Sequence, residues 1–364
     1  MRVLIADGGT GGHIFPALAI ADEFRKRDGF EAVLFTGTAS GLENDLVPRH
    51  GYELSLIRVG GLIGKSTGTR FKTMLQLPLA YWQSRRMIRN FRPQVAIGFG
   101  AYASGPVLVA AHRQKVPILL VEPNAIPGFT NRIALRFASR VAVPFPDTSG
   151  IYAGKAVVTG VPIRPLRDLA VPRTKFTIGI LGGSQGARAI NQTVLAALPR
   201  LAALRDRLHL VHQTGKGDFE SVSKSYERLA PFFEVVPFIY DMEQFYGRCD
   251  LLLCRAGAVT LAELTSLGKP AVLVPLPTAT HGHQEQNARQ LAEAGAAWLI
   301  LQKDLNAEIL LKLIKELLEF PEQLSERARA SRALGKPDAT QKVVNLALSL
   351  IRENHGETET MVFF

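Results

Sequence analysis

Two widely separated segments of the chain open in the same way, and this repetition narrows the fold more than any other feature. MRVLIAD runs into Gly8-Gly9-Thr10-Gly11-Gly12-His13, and FTIGIL runs into Gly182-Gly183-Ser184-Gln185-Gly186-Ala187. Each reads as strand, glycine loop and helix. Glycine lets the backbone turn sharply and approach a ligand closely, and the helix that follows presents free N–H groups and a positive dipole end to an anion. Around each opening, short β-rich runs alternate with helical patterns. The first series is Val3–Ala6, Ala32–Thr36, Val95–Phe99, Ile118–Val121, Arg140–Val143 and Val157–Thr159. The second is Phe176–Leu181, Leu208–Gln213, Phe233–Pro237, Leu251–Cys254, Ala271–Val274 and Ala297–Leu301. That rhythm predicts an α/β chain with two doubly wound parallel-sheet domains. The proline-punctuated stretch from Val161 to Arg173 is the expected linker. A length of 364 residues accommodates two such cores. Domains whose strands present their carboxyl ends to one another would enclose a cleft for a substrate.

The net charge of +11 is unevenly spread. From Leu54 to Val121 there is no Asp or Glu, while Arg58, Lys65, Arg70, Lys72, Arg85, Arg86, Arg89, Arg92, Arg113 and Lys115 supply ten cations. Such a patch suits a polyanion, either nucleic acid or an anionic lipid surface, or is an ordinary solvated face. Phe71, Met74, Leu75, Leu79 and Trp82 recur at helical spacing just before Arg85, Arg86 and Arg89. An apolar stripe beside cations fits a lipid headgroup interface; a core-facing helix is the competing reading. Pro78 is expected to interrupt or bend that helix. No nucleic-acid motif accompanies the patch, and no run of about 18 apolar residues exists for a membrane span. The N-terminus enters its first strand without a cleavable signal segment, so the expected location is cytoplasmic. Cys249 and Cys254 would point to opposite faces of a strand, which predicts packing thiols rather than a disulfide or a metal pair.

A nicotinamide cofactor is the first competitor for the glycine loops, and the residues argue against it. With Gly9 and Gly11 as the first glycines of G-x-G-x-x-G, the third position is Ile14, and the second strand ends at Phe35-Thr36-Gly37 without a ribose-binding acid. No G-x-x-x-x-G-K-[ST] occurs, which excludes a P-loop; Gly60 to Ser66 comes nearest without matching. The second half holds a more specific constellation. Arg255-Ala256-Gly257-Ala258-Val259-Thr260-Leu261-Ala262-Glu263 follows a strand, so Gly257 turns the chain and Ala258 onward starts a helix whose N–H groups suit a diphosphate. Glu263 in that helix has two oxygens for the vicinal hydroxyls of a ribose; a solvated helix glutamate is the plainer reading. His281-Gly282-His283-Gln284-Glu285-Gln286-Asn287 reads as a loop rich in amides and imidazoles, suited to a sugar's hydroxyl and acetamide groups. It lacks a third ligand at metal spacing.

With GGTGGH at the start, GGSQGAR after the linker, then CRAGAVTLAE and HQEQNA in that order, the chain resembles the MurG family of glycosyltransferases over essentially its whole length. The resemblance implies the two-domain glycosyltransferase B architecture. Residues 1–162 would bind acceptor and membrane, 163–340 would bind UDP-N-acetylglucosamine, and a helix and tail over 341–364 would pack back on the first domain. The implied reaction is inverting transfer of N-acetylglucosamine to the 4-hydroxyl of undecaprenyl-diphospho-N-acetylmuramoyl-pentapeptide, lipid I, giving lipid II for peptidoglycan synthesis. Implied donor contacts are Arg164, Ser184, Ile239 through its backbone, Ala258, Val259, Thr260, Leu261, Ala262, Glu263 and Gln284, completed by Thr10, Gly11, Gly12 and Asn124. Implied acceptor and membrane contacts are Tyr102, Ser104, Phe71, Leu75, Trp82, Arg85, Arg86 and Arg89. The protein would sit peripherally on the cytoplasmic face of the bacterial cell membrane, with other cell-wall synthesis proteins as partners. No nucleic acid, metal or separate cofactor is expected.

Two positions depart from the family pattern. Val121-Glu122-Pro123-Asn124 stands where the family often has His-Glu-Gln-Asn, and Ala101 replaces a glycine in Gly98-Phe99-Gly100-Ala101-Tyr102-Ala103-Ser104-Gly105-Pro106. For the reaction itself, a base must take the attacking hydroxyl's proton. His13 titrates near neutrality and is the expected base, with a role in hydrogen-bonding acceptor or phosphate as the alternative. Backbone N–H groups with Arg164 and Ser184 would meet the charge on the leaving diphosphate. A related transferase, a UDP-N-acetylglucosamine epimerase on the same fold, and a non-catalytic nucleotide-sugar-binding subunit are the competing functions.

Overall fold

In the computed structural model of the chain, residues 1–8, 11–39, 41–60, 67–146, 150–169, 171–183, 186–227, 232–279 and 282–356 are described. They form two compact units, Met1–Arg164 with Pro337–Phe364, and Pro165–Lys336.

The first unit runs β1 (Arg2–Ala6), α1 (Gly11–Phe24), β2 (Ala32–Gly37), α2 (Glu43–Arg49), β3 (Glu53–Leu56), α3 (Thr67–Phe91), β4 (Val95–Gly98), α4 (Ser104–Arg113), β5 (Ile118–Val121), α5 (Phe129–Ala134), β6 (Arg140–Val143) and β7 (Ala156–Val158). Its strands form one parallel sheet in the order β3-β2-β1-β4-β5-β6-β7. Alternate residues of β1 go to opposite faces, as the period of two requires. Val3 and Ile5 join a core with Ile14, Leu18 and Phe24 of α1, whereas Leu4 and Ala6 join another with Val107 and Leu108 of α4. A strand covered on both faces is apolar throughout, which is why the RVLIA run is continuous rather than alternating. β3 is absent from the strands read in the sequence. Its ELSL is four residues long and exposed at both ends, so it carries no apolar run.

Pro78 lies inside α3 and does not interrupt it. The missing N–H and ring clash cost about 3 kcal/mol in a helix interior. Against that, Ala80, Ser84 and Ile88 are buried at helical spacing, and the Ser84 hydroxyl donates to the Ala80 carbonyl at 2.7 Å.

The second unit runs β8 (Phe176–Leu181), α6 (Arg188–Ala202), β9 (Leu208–Gln213), α7 (Phe219–Tyr226), β10 (Phe233–Val236), α8 (Met242–Arg248), β11 (Leu251–Cys254), α9 (Ala258–Leu267), β12 (Ala271–Leu273), α10 (His283–Glu293), β13 (Ala297–Leu299), α11 (Ala307–Glu319) and α12 (Glu322–Leu334). Its parallel sheet has the order β10-β9-β8-β11-β12-β13. Cys249 and Cys254 are buried free thiols, and burial pushes both up to about 12.

A last helix, α13 (Ala339–His355), belongs to the first unit. Val343, Val344, Ala347 and Leu350 enter the core shared with α1. The Thr340 hydroxyl donates to the Ile163 carbonyl at 2.7 Å and accepts from its N–H at 3.1 Å.

In each sheet the order reverses beside the first strand. β2 and β4 flank β1; β9 and β11 flank β8. Ligands of open α/β sheets bind outside the carboxyl ends of the strands at such a switch point. Gly8 after β1 and Gly182–Gly183 after β8 sit there.

Candidate functional site

In the second unit, β8 ends at Leu181 and α6 starts only at Arg188, leaving a loop between them. Gly186 has φ +79°, and a Cβ there would lie 2.2 Å from the Thr214 carbonyl, so no other residue fits. Gln213, at the end of β9, holds the loop from both sides. Its Oε1 accepts from the Gly182 N–H at 3.1 Å, and its Nε2 donates to the Gly183 carbonyl at 2.8 Å. Ser184 lies outside the described residues.

Next to this loop, β11 delivers Arg255, Ala256 and Gly257 into α9. Gly257 is extended at φ −68° and ψ 137°, and among the described residues no side chain caps the helix. The N–H groups of Ala258, Val259 and Thr260 therefore have no intrahelical acceptor, and the dipole's positive end lies among them. Arg255 is not aimed at a ligand: it donates to the Val274 and Pro275 carbonyls at 3.1 and 3.3 Å and to Gln302 Oε1 at 2.7 Å. It ties the end of β11 to the end of β12.

Glu263, one turn into α9, is buried, which rules out the solvated-glutamate reading. Tyr246 of α8 donates its hydroxyl to Glu263 Oε2 at 2.7 Å. That partner is a residue the sequence reading missed. The expected loop around Gln284 is instead the first turn of α10. Gln284 Oε1 accepts from the Leu276 N–H at 3.0 Å, and Asn287 is buried with its amide toward the Ala256 carbonyl at 3.5 Å. These amides hold the segments after β11 and β12 against one another. His281 lies outside the described residues. Ile239 follows β10 between Phe238 and Tyr240, whose rings stack edge-on at 4.9 Å. The unit thus gathers Gly182–Gly183, Ile239, Ala258–Glu263 and Gln284 at the carboxyl ends of its strands. Arg164 is exposed and is the last residue of the first unit before Pro165.

In the first unit, Gly11, Gly12 and His13 form the opening turn of α1 rather than the loop the sequence indicated. Thr10 lies outside the described residues. His13 is half-buried, with Nδ1 3.8 Å from Oδ1 of the buried Asp7. β4 leads through Gly100, whose φ is +82° and whose Cβ would lie 2.6 Å from the Asn131 amide. Ala101 is buried and has no positive φ, so the added methyl fits without strain. Ser104 is fully buried and donates its hydroxyl to the Ala101 carbonyl at 2.7 Å, so it fixes this turn. Tyr102 stays accessible, its hydroxyl 3.2 Å from Thr38 Oγ1.

After β5, Glu122 organises the segment that carries Asn124. Its Oε1 accepts from the Asn124 N–H and side-chain amide at 3.0 and 3.1 Å. Its Oε2 accepts from the Gly128 N–H at 3.0 Å and from Asn131 at 2.9 Å. Burial raises its pKa despite those donors. β1, β4 and β5 are neighbours in the sheet, so His13, Tyr102 and Asn124 lie beyond the same edge of it.

On α3, Leu75, Leu79 and Trp82 are 65%, 48% and 59% exposed, which excludes the core-facing reading for them. The Arg85 guanidinium lies 5.1 Å from the Trp82 ring centroid, and Arg86 and Arg89 are exposed nearby. The side chains of Phe71 and Met74 lie outside the described residues. Among the described residues no helix is long and apolar enough to cross a membrane, and no group of three His, Cys, Asp or Glu could hold a metal ion.

Residues 3–143 match the N-terminal domain of glycosyltransferase family 28, and residues 177–343 match its C-terminal domain. The UDP-N-acetylglucosamine–N-acetylmuramyl-(pentapeptide) pyrophosphoryl-undecaprenol N-acetylglucosamine transferase of Thermodesulfovibrio yellowstonii is 41% identical over 363 residues, spanning 97% of this chain and 99% of its own. Among solved structures, the MurG of Acinetobacter baumannii is 33% identical with a TM-score of 0.79, covering 96% of this chain and 100% of that one. A UDP-N-acetylglucosamine 2-epimerase from Neisseria meningitidis shares the fold alone, at 15% identity and a TM-score of 0.68, covering 96% of this chain and 100% of that one.

Proposed function

Because the chain belongs to glycosyltransferase family 28, we infer that it transfers N-acetylglucosamine from UDP to the 4-hydroxyl of the N-acetylmuramoyl group of lipid I, giving lipid II. The observation that carries this reading is in the second unit: the uncapped start of α9 followed one turn later by the buried Glu263. A diphosphate on the free N–H groups of residues 258–260 and a ribose on Glu263 would be spaced as in a nucleoside diphosphate. The Tyr246 hydroxyl, donating to Oε2, fixes the orientation in which the Glu263 carboxylate would meet the ribose. Ile239 then meets the uracil through its backbone, and Gln284 the sugar.

In the first unit His13 is the base. It takes the proton of the attacking hydroxyl while UDP leaves from the opposite face of the anomeric carbon, so configuration inverts. Charge growing on the leaving diphosphate is met by the α9 N–H groups with Arg164 and Ser184. The α9 N–H groups are held in place by the helix itself, and the reaction is expected to proceed without added metal. Leu75, Leu79 and Trp82 with the arginines beside them form the attachment to an anionic membrane surface on its cytoplasmic side.

The test is incubation of the purified chain with labelled UDP-N-acetylglucosamine and a short-chain lipid I analogue, with and without EDTA. A β-linked disaccharide on the lipid, formed equally in both, is the expected product. Epimerised UDP-sugar without transfer, or no turnover by the isolated chain, would overturn the reading.

A further inference from the structure

Asp7 follows β1 and is 1% exposed, yet among the described residues neither oxygen of its carboxyl makes a well-formed hydrogen bond, the adjacent Gly8 N–H only easing its ionisation. Burying an acid that way is costly, and a fold seldom retains it without a use. Burial pushes the carboxyl up to about 7 against the Gly8 N–H, and the nearby Glu43 carboxylate adds to the rise. From α2, Glu43 already accepts from the Thr38 N–H at 2.9 Å. From α1, the His13 imidazole faces Asp7 with Nδ1 3.8 Å from Oδ1. These two are the titratable side chains that approach Asp7 among the described residues.

We propose that Asp7 is a positioning residue for His13, its carboxylate orienting the imidazole through Nδ1 and stabilising the imidazolium formed when Nε2 takes the acceptor's proton. The proposal rests on His13 being the base. An approach of about 1 Å brings Nδ1–H to hydrogen-bond distance. The step balances. The hydroxyl O–H bond breaks as its oxygen attacks the anomeric carbon, UDP leaves with the bonding electrons, and the proton stays on Nε2 beside an Asp7 carboxylate. Asp7 and His13 titrate as a pair, and the working state is the one in which both have lost their proton. A carboxylate neighbour raises the imidazole's proton affinity, so removing it lowers the pH at which His13 becomes neutral.

Asp7→Asn keeps the shape and removes the charge. In this variant the NMR titration of His13, assigned by comparison with His13→Ala, should move down by about one pH unit or more. The acid limb of kcat/KM should move down with it, and the plateau should fall roughly tenfold because a weaker base accepts the proton. In a His13→Ala background Asp7→Asn should change kcat no further. Stability gives an independent sign. A carboxyl raised from 3.8 to about 7 in the folded state loses stability as pH rises through that window. The variant should therefore melt at or above the wild-type temperature at pH 8, with the gap shrinking toward pH 5. An unchanged His13 titration overturns the pairing itself, as does a variant that melts lower at pH 8 with its acid limb in place. A shifted titration with full turnover in His13→Ala overturns the base reading, and with it the catalytic half of the proposal.

Discussion

In the first unit α1 starts at Gly11, soon after β1, so His13 falls in its opening turn facing a buried carboxyl. In the second unit α6 waits until Arg188, and the loop before it is held by the amide of Gln213. There the uncapped helix start belongs to the neighbouring strand, at α9, with Glu263 behind it. Two openings that read alike as strand, glycines and helix thus present different chemistry at the same topological position. One offers titratable groups, to which the proposed function gives the proton; the other offers helix N–H donors and a buried carboxylate, to which it gives the nucleotide. The sheet order supplies the place, and a few side chains decide the use.

The largest effect that could break this contrast is at His13. His13→Ala should lower kcat by about 10²–10⁴-fold with UDP affinity unchanged. Steady-state kinetics at saturating donor reads it directly, and near-normal turnover would remove the proton-handling side of the comparison.

Glu263→Gln comes next and bears on the other side. Hydrogen bonds to a charged group contribute about 1.5–3 kcal/mol, so UDP affinity should fall about ten- to a hundredfold. Wild-type protein should bind 2′-deoxy-UDP more weakly than UDP, while the variant discriminates much less. Tyr246 can still donate to the remaining amide oxygen, so cooperative melting should persist. Equal losses for both nucleotides in calorimetry would show general damage rather than a ribose contact.

How far these assignments were legible in the sequence depended on how local their causes are. Glycine loops, covered strands and the start of α9 are written in consecutive residues, so twelve of the thirteen strands among the described residues could be read directly. The other, β3, owes its place to pairing with β2 rather than to its own ELSL. The start of α1 at Gly11 was hidden for another reason: two glycines in a first helical turn lower intrinsic propensity, and packing of Ile14, Ala17 and Leu18 into the core outweighs it. Tyr246, Gln213 and Glu122 escaped notice because nothing in a buried tyrosine, a strand-end glutamine or a loop glutamate announces a partner elsewhere in the chain. Asp7 was passed over as part of a strand run, and only its burial without a well-formed hydrogen bond among the described residues makes it conspicuous.

The exposed stripe of α3 sharpens the comparison from outside the switch points, since under the proposed function it would tie the first unit to the acceptor's membrane. Leu79→Ser with Trp82→Ser should weaken binding to anionic vesicles about tenfold or more, as each side chain loses the apolar area it would bury. Melting should be unaffected, because both are exposed. Arg85→Glu with Arg86→Glu should leave the residual binding insensitive to salt. Co-sedimentation at two ionic strengths measures both, and a variant that binds as before would free the stripe of this role.

The smallest effect concerns Tyr246, whose proposed role is to orient Glu263 rather than to meet the nucleotide. Tyr246→Phe should weaken UDP binding about two- to tenfold and leave kcat at saturating donor unchanged. A loss as large as that of Glu263→Gln would make the tyrosine, rather than the carboxylate, the nucleotide contact.

Measuring kcat at saturating donor and UDP affinity by calorimetry, in His13→Ala and Glu263→Gln side by side, tests the division of labour most directly. The account predicts that the first variant loses kcat by about 100-fold or more with UDP affinity intact, and that the second loses UDP affinity about tenfold or more with the smaller loss in kcat. UDP binding weakened as much by His13→Ala as by Glu263→Gln would contradict it.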